Sequence, residues 1–231
     1  MKLSTLAAGG LLGLLFGCGG GGGDGPAATA VPEGAGSVVP VIATYDMDAA
    51  FTRLLTDGAQ FTGLKGTFAG VPIQMTLSFT PAADGVFQGR TYRRAVQSTV
   101  GTSGAVRNST SQTMYFTVAP VQLVGAIDDQ GPQTVFTSHG TLPATGTAGQ
   151  SGPYAFATSY ASASSSSVIG QTRVTWELQP DTERTVWACL TMTLVDGPLS
   201  EQDCFRLDAA GNVSGARAVL VVDGQTVVFS Q

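Results

Sequence analysis

One histidine, His139, and three cysteines, Cys18, Cys189 and Cys204, are the strongest nucleophilic or metal-binding groups in this 231-residue chain. His139 stands in Thr137-Ser138-His139-Gly140, where it could serve a serine as general base if Asp128 or Asp129 oriented it. Ser138 is a poor partner, because adjacent residues on a strand face opposite ways, and no nucleophile-elbow pattern accompanies the pair. An exposed turn histidine is the preferred reading. Zinc takes three or four ligands, and His139 has no histidine companion. Asp46 with Asp48, or Asp128 with Asp129, could offer oxygens to calcium, yet neither pair follows a full loop pattern. None of the four glutamates sits in a context that signals paired-carboxylate hydrolysis. These residues predict no catalytic group, no metal, no cofactor and a protein that is not an enzyme.

Two other sets of side chains carry more information. Arg90, Tyr92, Arg93 and Arg94 gather guanidinium groups on one expected strand of an acidic protein, with Arg107 on the next strand or loop. Such a set can hold lipid phosphates, glycan carboxylates or a partner's acidic loop. The plainer expectation is a solvated strand whose arginines pair across the sheet with carboxylates. The second set is a cysteine pair. In the stretch from Val186 to Leu194, period-two alternation sends Val186, Ala188, Leu190, Met192 and Leu194 inward and leaves Cys189 outward beside Trp187. Phe205 and Leu207 take the core face of the next strand, which leaves Cys204 outward with Arg206. A loop from Val195 to Pro198 sets Leu194 opposite Leu199 and so Cys189 opposite Cys204, the register a cross-strand disulfide needs. A two-residue Asp196-Gly197 turn is disfavoured, because Pro198 cannot donate the hydrogen bond that closes it. No third soft ligand lies near, so a bridge is preferred to a metal site.

The third cysteine has a different setting. Residues 1–17 have the layout of a secretory signal, with a positive start at Lys2 and an apolar stretch from Leu6 to Phe16 too short to span a bilayer. Leu15-Phe16-Gly17-Cys18 resembles the lipobox of bacterial lipoproteins, and the resemblance covers about the first twenty residues. It implies removal of residues 1–17 and acylation of Cys18, and several acyl chains together make an effectively permanent membrane anchor. It also implies an oxidising envelope compartment, where a disulfide persists. In such lipoproteins an aspartate directly after the cysteine often signals retention at the inner membrane. Gly19 stands there, so the implied destination is the outer membrane. Residues 18–37, with glycines from Gly19 to Gly23 and then Ala, Gly and Pro, have too little apolar surface to fold and read as a flexible tether.

The elements that must position these groups lie in residues 38–231, long enough for a single domain with its own core. Ala161 to Ser167 is the only other linker-like stretch. Lys and Arg total 11 against 16 Asp and Glu, a net charge of −5, which argues against a nucleic-acid partner. In Asp46 to Thr56 the residues Met47, Phe51, Leu54 and Leu55 share one helical face, with Asp46 as N-cap and Gly58 as the stop. This short helix is expected to close one side or end of a sheet. Later segments alternate with period two, as in Ile73 to Phe79 and in Val174, Trp176 and Leu178. Asp84-Gly85, Asp196-Gly197, Asp223-Gly224 and the stretch Asp208 to Asn212 read as turns. Roughly a dozen antiparallel strands follow, so the expected fold class is all-β, a meander forming a sandwich or a curved open sheet or barrel, with one short N-terminal α-helix. The last pair, Ala218 to Val222 and Thr226 to Phe229, is apolar on both faces and is expected to sit centrally.

Two functions fit this pattern. The first is an envelope lipoprotein with a non-catalytic β domain that binds a protein or an envelope polymer such as a glycan. The alternative is a carrier of lipid or another apolar ligand, with a lipocalin-like or half-barrel cavity. The interior decides between them. Bulky Trp176 and Met192 argue for a filled core and recognition at the outer surface, with the Arg90 to Arg94 strand first.

Overall fold

The computed structural model of the protein describes residues 44–231 apart from 69, 196–198 and 223–224, without the side chains of 138, 139, 199, 200, 222 and 225. The leader, Cys18, the tether and the turns at Asp196-Gly197 and Asp223-Gly224 lie outside the described residues. In chain order the elements are β1 (Tyr45–Asp46), α1 (Met47–Thr56), β2 (Ala59–Phe68), β3 (Val71–Phe87), β4 (Arg90–Ser103), β5 (Val106–Val118) and β6 (Val121–Asp128). There follow β7 (Gln133–His139), β8 (Thr145–Gly146), β9 (Ser151–Tyr160), β10 (Val168–Pro180), β11 (Val186–Leu194), β12 (Leu199–Leu207), β13 (Val213–Val222) and β14 (Gln225–Ser230).

Among the described residues, β2 to β7 and β9 to β14 form one closed antiparallel barrel in meander order, while β1 pairs only with β8. Of the three architectures left open by the strand pattern, the chain adopts the barrel, the one that leaves no sheet edge exposed along its wall. Alternation fills it as expected. Ile73, Met75, Leu77 and Phe79, then Val174, Trp176 and Leu178, then Val186, Ala188, Leu190 and Met192 are all buried in one continuous core. The outward positions of β10 are Gln171, Arg173, Thr175, Glu177 and Gln179, exposed or half-buried. That polarity is the reverse of the apolar band on a lipid-facing barrel.

A barrel of about eight strands is just wide enough for side chains to fill, and this one is wider. Helix α1 takes up the difference at one end. The Asp46 carboxylate accepts from Ala49 N at 2.8 Å, and Gly58 ends the helix at φ 81°, where a side chain would strike Phe79 O. Phe51, Leu54 and Leu55 point into the barrel, and Phe51, Phe61 and Phe79 surround the Phe205 ring at centroid distances of 6.1, 5.8 and 5.7 Å. Asp48 accepts from Val121 N, and Arg53 donates to Ala210 O and Asn212 Oδ1, which ties the plug to two loops at that end.

Four local expectations are corrected. Asp84-Gly85 is not a hairpin turn but a bulge within β3, between Ala82 and Gly85. The turn is Gln88-Gly89, with φ of 48° and 76°, the paired positive values that a tight hairpin of this hand requires. Leu199 stands opposite Thr193 instead of Leu194, because a register shift follows Met192; Cys189 opposite Cys204 holds as expected. Leu194 is only half-buried. Finally, closure gives β13 and β14 no special central place: like every strand of the barrel they are flanked on both sides, β14 by β2 with Ser230 opposite Lys65. Ala161 to Ser167 is the loop between β9 and β10, closed by Ala161 N donating to Ser167 O.

Candidate functional site

Strands β3 and β4 outrun their neighbours. β2 pairs with β3 only as far as Phe79, and β5 reaches β4 only from Arg93 onward, so the hairpin continues past the wall as a two-stranded arm. An isolated hairpin is marginally stable in water. This one is pinned by Phe87, which stacks on Tyr115 at 4.7 Å and covers Gly125 so closely that a Cβ there would lie 2.1 Å from the ring. Phe87, Tyr115 and Val135 form a small outer core, flanked by Tyr92, Val124, Ile127 and Tyr160. The arm is braced internally by Arg94 Nε donating to Ala83 O at 2.6 Å and by an Arg93–Asp84 ion pair at 3.2 Å.

The predicted arginine set is therefore divided. Register places Arg90 beside Phe87, Tyr92 beside Gly85, and Arg94 beside Tyr115, so these three share the face of the arm that Phe87 turns onto the wall, while Arg93 points the other way. Arg94 is half-buried and Arg90 is exposed, with no side-chain partner among the described residues. Arg107 does not join them. It stands opposite Thr102 at the far end of β4, roughly 40 Å along the strand from Arg90. The expected cross-sheet pairing with carboxylates holds for Arg93 alone. The aromatic platform under the arginines was missed by the sequence reading, although Met114-Tyr115-Phe116 and Val124 to Ile127, apolar on both faces, carry its signal.

Inside the barrel, away from the plug, the lining turns polar. Gln112 Nε2 donates to Gln97 Oε1 at 2.8 Å, and Thr134 and Ser159 hydroxyls meet at 3.0 Å. Opposite Met192 and Leu190, Glu201 and Asp203 also face inward. The alternation that put Phe205 and Leu207 in the core extends to both acids. Asp203 is 2% exposed, and neither of its carboxylate oxygens has a hydrogen-bond partner. Burial holds its pKa well above the usual carboxylate range. Among the described residues, one void of about 20 Å³ lies between α1 and the wall and another of that size is bordered by Gln112, Thr134, Thr172 and Met192. Each has room for about one water.

On the outer wall the Cys189–Cys204 disulfide joins β11 to β12, with both cysteines fully buried beneath Trp187. Arg206 and Arg217 lie over the Trp187 ring at 4.5 and 5.0 Å, and Asp181 receives both the indole N–H at 3.0 Å and the Arg206 guanidinium at 2.9 Å. Arg217 also reaches Cys204 Sγ at 3.5 Å. Burial lowers the pKa of Arg217, against the pull of Asp181 and Glu177. In the chain-entropy account, closing a loop of this length contributes about 3 kcal/mol.

The remaining candidates have structural duties. Asp46 and Asp48 cap α1 and hold Val121, Asp128 accepts from Gln130 N, and Asp129 accepts from the Ser111 amide and hydroxyl. His139 ends β7 opposite Ala155, and its side chain lies outside the described residues. Comparison with protein-family models, with curated proteins and with solved structures gave no match to this chain. Fold and site together define a class all the same: a helix-plugged, disulfide-stapled antiparallel barrel with an aromatic and arginine-bearing arm packed on its wall.

Proposed function

We propose that the chain is an outer-membrane lipoprotein, anchored through acyl groups on Cys18, whose barrel binds an envelope protein or polymer at its outer surface and performs no chemistry. The observation that carries this reading is the occupied interior. A barrel is compatible with carriage as well as with binding, but a ligand pocket takes roughly 300 Å³ or more. Voids of about 20 Å³, with α1 seated in one end, favour recognition from outside. Two measurements on protein purified from its own envelope test the two halves. Native mass spectrometry is expected to give an unliganded barrel, and an apolar molecule retained near one equivalent would restore carriage as the function. Growth with a palmitate analogue is expected to label the native chain and not a Cys18→Ser variant; an unlabelled native chain would remove the anchor.

A further inference from the structure

We propose that the outer wall carries a lid over its disulfide, and that Asp181 is the latch that holds the lid shut. This lid lies outside the recognition reading above, and neither depends on the other. Register frames the two sulfurs. Glu177 of β10 stands beside Cys189 and Arg217 of β13 beside Cys204; two residues along the paired strands toward the plug are Trp187 and Arg206, and two residues the other way are Thr191 and Gln202. Both cysteines are wholly buried although they lie on the face of the wall turned away from the core. These side chains make the cover. Trp187 packs on the cysteine pair, Arg206 and Arg217 lie over its ring, and Gln202 Nε2 donates to Thr191 Oγ1 at 2.9 Å on the opposite side. Arg217 Nη2 reaches to 3.5 Å from Cys204 Sγ and 3.9 Å from Cys189 Sγ.

Asp181 holds this cover in place from the loop after β10. Its side chain is 13% exposed, and its carboxylate accepts from Trp187 Nε1 at 3.0 Å and from Thr185 Oγ1 at 2.6 Å and pairs with the Arg206 guanidinium at 2.9 Å. One acid thereby fixes the indole and one guanidinium, and the indole ring seats the other guanidinium above the sulfurs. A thiolate must touch a sulfur to open the bridge, so the bridge is beyond a reductant until the indole moves. The chemistry behind the lid is ordinary exchange with a dithiol. Its thiolate attacks one sulfur, the Sγ–Sγ bond breaks and releases the other cysteine as thiolate, and the second thiol then displaces the first cysteine. Two electrons pass to the pair, the reductant closes into its own disulfide, and the protons its two thiols give up end on the cysteines. Arg217, whose buried Nε has no hydrogen-bond partner in the bridged form, lies nearer Cys204, while Glu177 stands beside Cys189; a thiolate is therefore better held at Cys204.

The test is the rate at which dithiothreitol opens the bridge in the full-length protein in detergent, read by alkylation and mass spectrometry of the Cys189 and Cys204 peptides. The native chain is expected to react slowly, at a rate that low, non-denaturing urea leaves unchanged, because the lid opens without the barrel. Asp181→Ala should react about tenfold faster or more, the scale of one lost charge-assisted contact, and Asp181→Asn, which keeps an acceptor for the indole, should fall between. Asp208→Ala removes a carboxylate that holds the turn at Asn212 and no part of the cover, so it should melt earlier yet be reduced at the native rate. Should Asp181→Ala not fold, Trp187→Phe, which keeps a ring and loses the bond to Asp181, carries the same expectation. A native bridge opened as fast as that of an unfolded peptide, a rate that climbs steeply with urea, equal acceleration by Asp208→Ala, or indifference to the loss of the latch would each overturn the lid.

Discussion

Asp203 sets how the fold answers to pH. Its raised pKa means that the folded chain holds that proton more tightly than the unfolded chain does. Its contribution to stability is therefore full below the unfolded value near 4 and is lost as pH rises through the folded one. Asp208 runs the other way. Burial pushes it up, but hydrogen bonds from Asn212 and Ala210 and the charge of Arg53 outweigh burial and hold it low, so its contribution is lost in acid. Replacing Asp203 with Asn keeps the shape and removes the ionisation. Thermal unfolding between about pH 5 and 8 should show the native chain losing stability with pH and Asp203→Asn losing less. At the alkaline end, where the buried carboxyl must ionise or the native fold must lose stability, the variant should unfold at the higher temperature. Identical slopes for the two chains would mean that Asp203 is ionised and solvated in the fold.

The arm tests whether one contact can position an element. Gly125 is fixed by the Phe87 ring above it, not by its own backbone. Gly125→Ala should expel Phe87, cost about 1–3 kcal/mol as an overpacked site, and raise hydrogen exchange across residues 83–92 while the barrel strands stay protected. Unchanged exchange in the arm would show that the ion pair and the Arg94 bond suffice to hold it. This is also where the sequence was hardest to read. Period-two alternation gave the inward sets of β3 and β10 because each has one wet face and one dry one, and it gave most of that of β11, whose outer positions Trp187 and Cys189 are buried as well. The same rule placed Cys189 opposite Cys204 across a loop of which Val195 alone lies within the described residues. It could not find the turn at Gln88-Gly89, since glutamine carries no signal for positive φ, while Asp84-Gly85 carries that signal and forms a bulge instead. Nor does it separate β5 from β6, which alternation alone runs together as one strand near 112–126, because Ala119-Pro120 falls inside one long apolar and polar alternation. The arm's aromatic platform draws on β3, β4, β5, β6, β7 and β9, neighbours in the sheet, and only their pairing side by side brings residues so far apart in sequence to one patch.

Closure makes the barrel one cooperative object, with a weak line among the described residues where β14 meets β2. Sandwich and barrel share the same strand pattern, and what separates them here is whether β14 meets β2, a long-range contact that no local alternation encodes. Among the described residues that meeting is registered at Ser230 opposite Lys65, where β13 pairs with β14 from Arg217 to Val222 and β2 pairs with β3 from Ala59 to Phe68. Side-chain packing supplements it, with Phe229 and Val228 O tight against Gly66 and Gln231 Nε2 donating to Thr62 O at 3.3 Å. The disulfide staples β11 to β12, two strands before β14, and so leaves the seam unconstrained. Opening should begin there. In native-state hydrogen exchange the amides of β14 and of the facing edge of β2 should exchange first, through sub-global opening at a free energy below that of unfolding. The amides of β11 and β12, stapled and roofed by Trp187, should exchange last. Reduction of the bridge should reverse part of that order, bringing β11 and β12 toward the seam while leaving β14 unmoved. Uniform protection around the barrel, with or without the disulfide, would mean that the packing of Phe229 against Gly66 closes the seam as firmly as a full ladder.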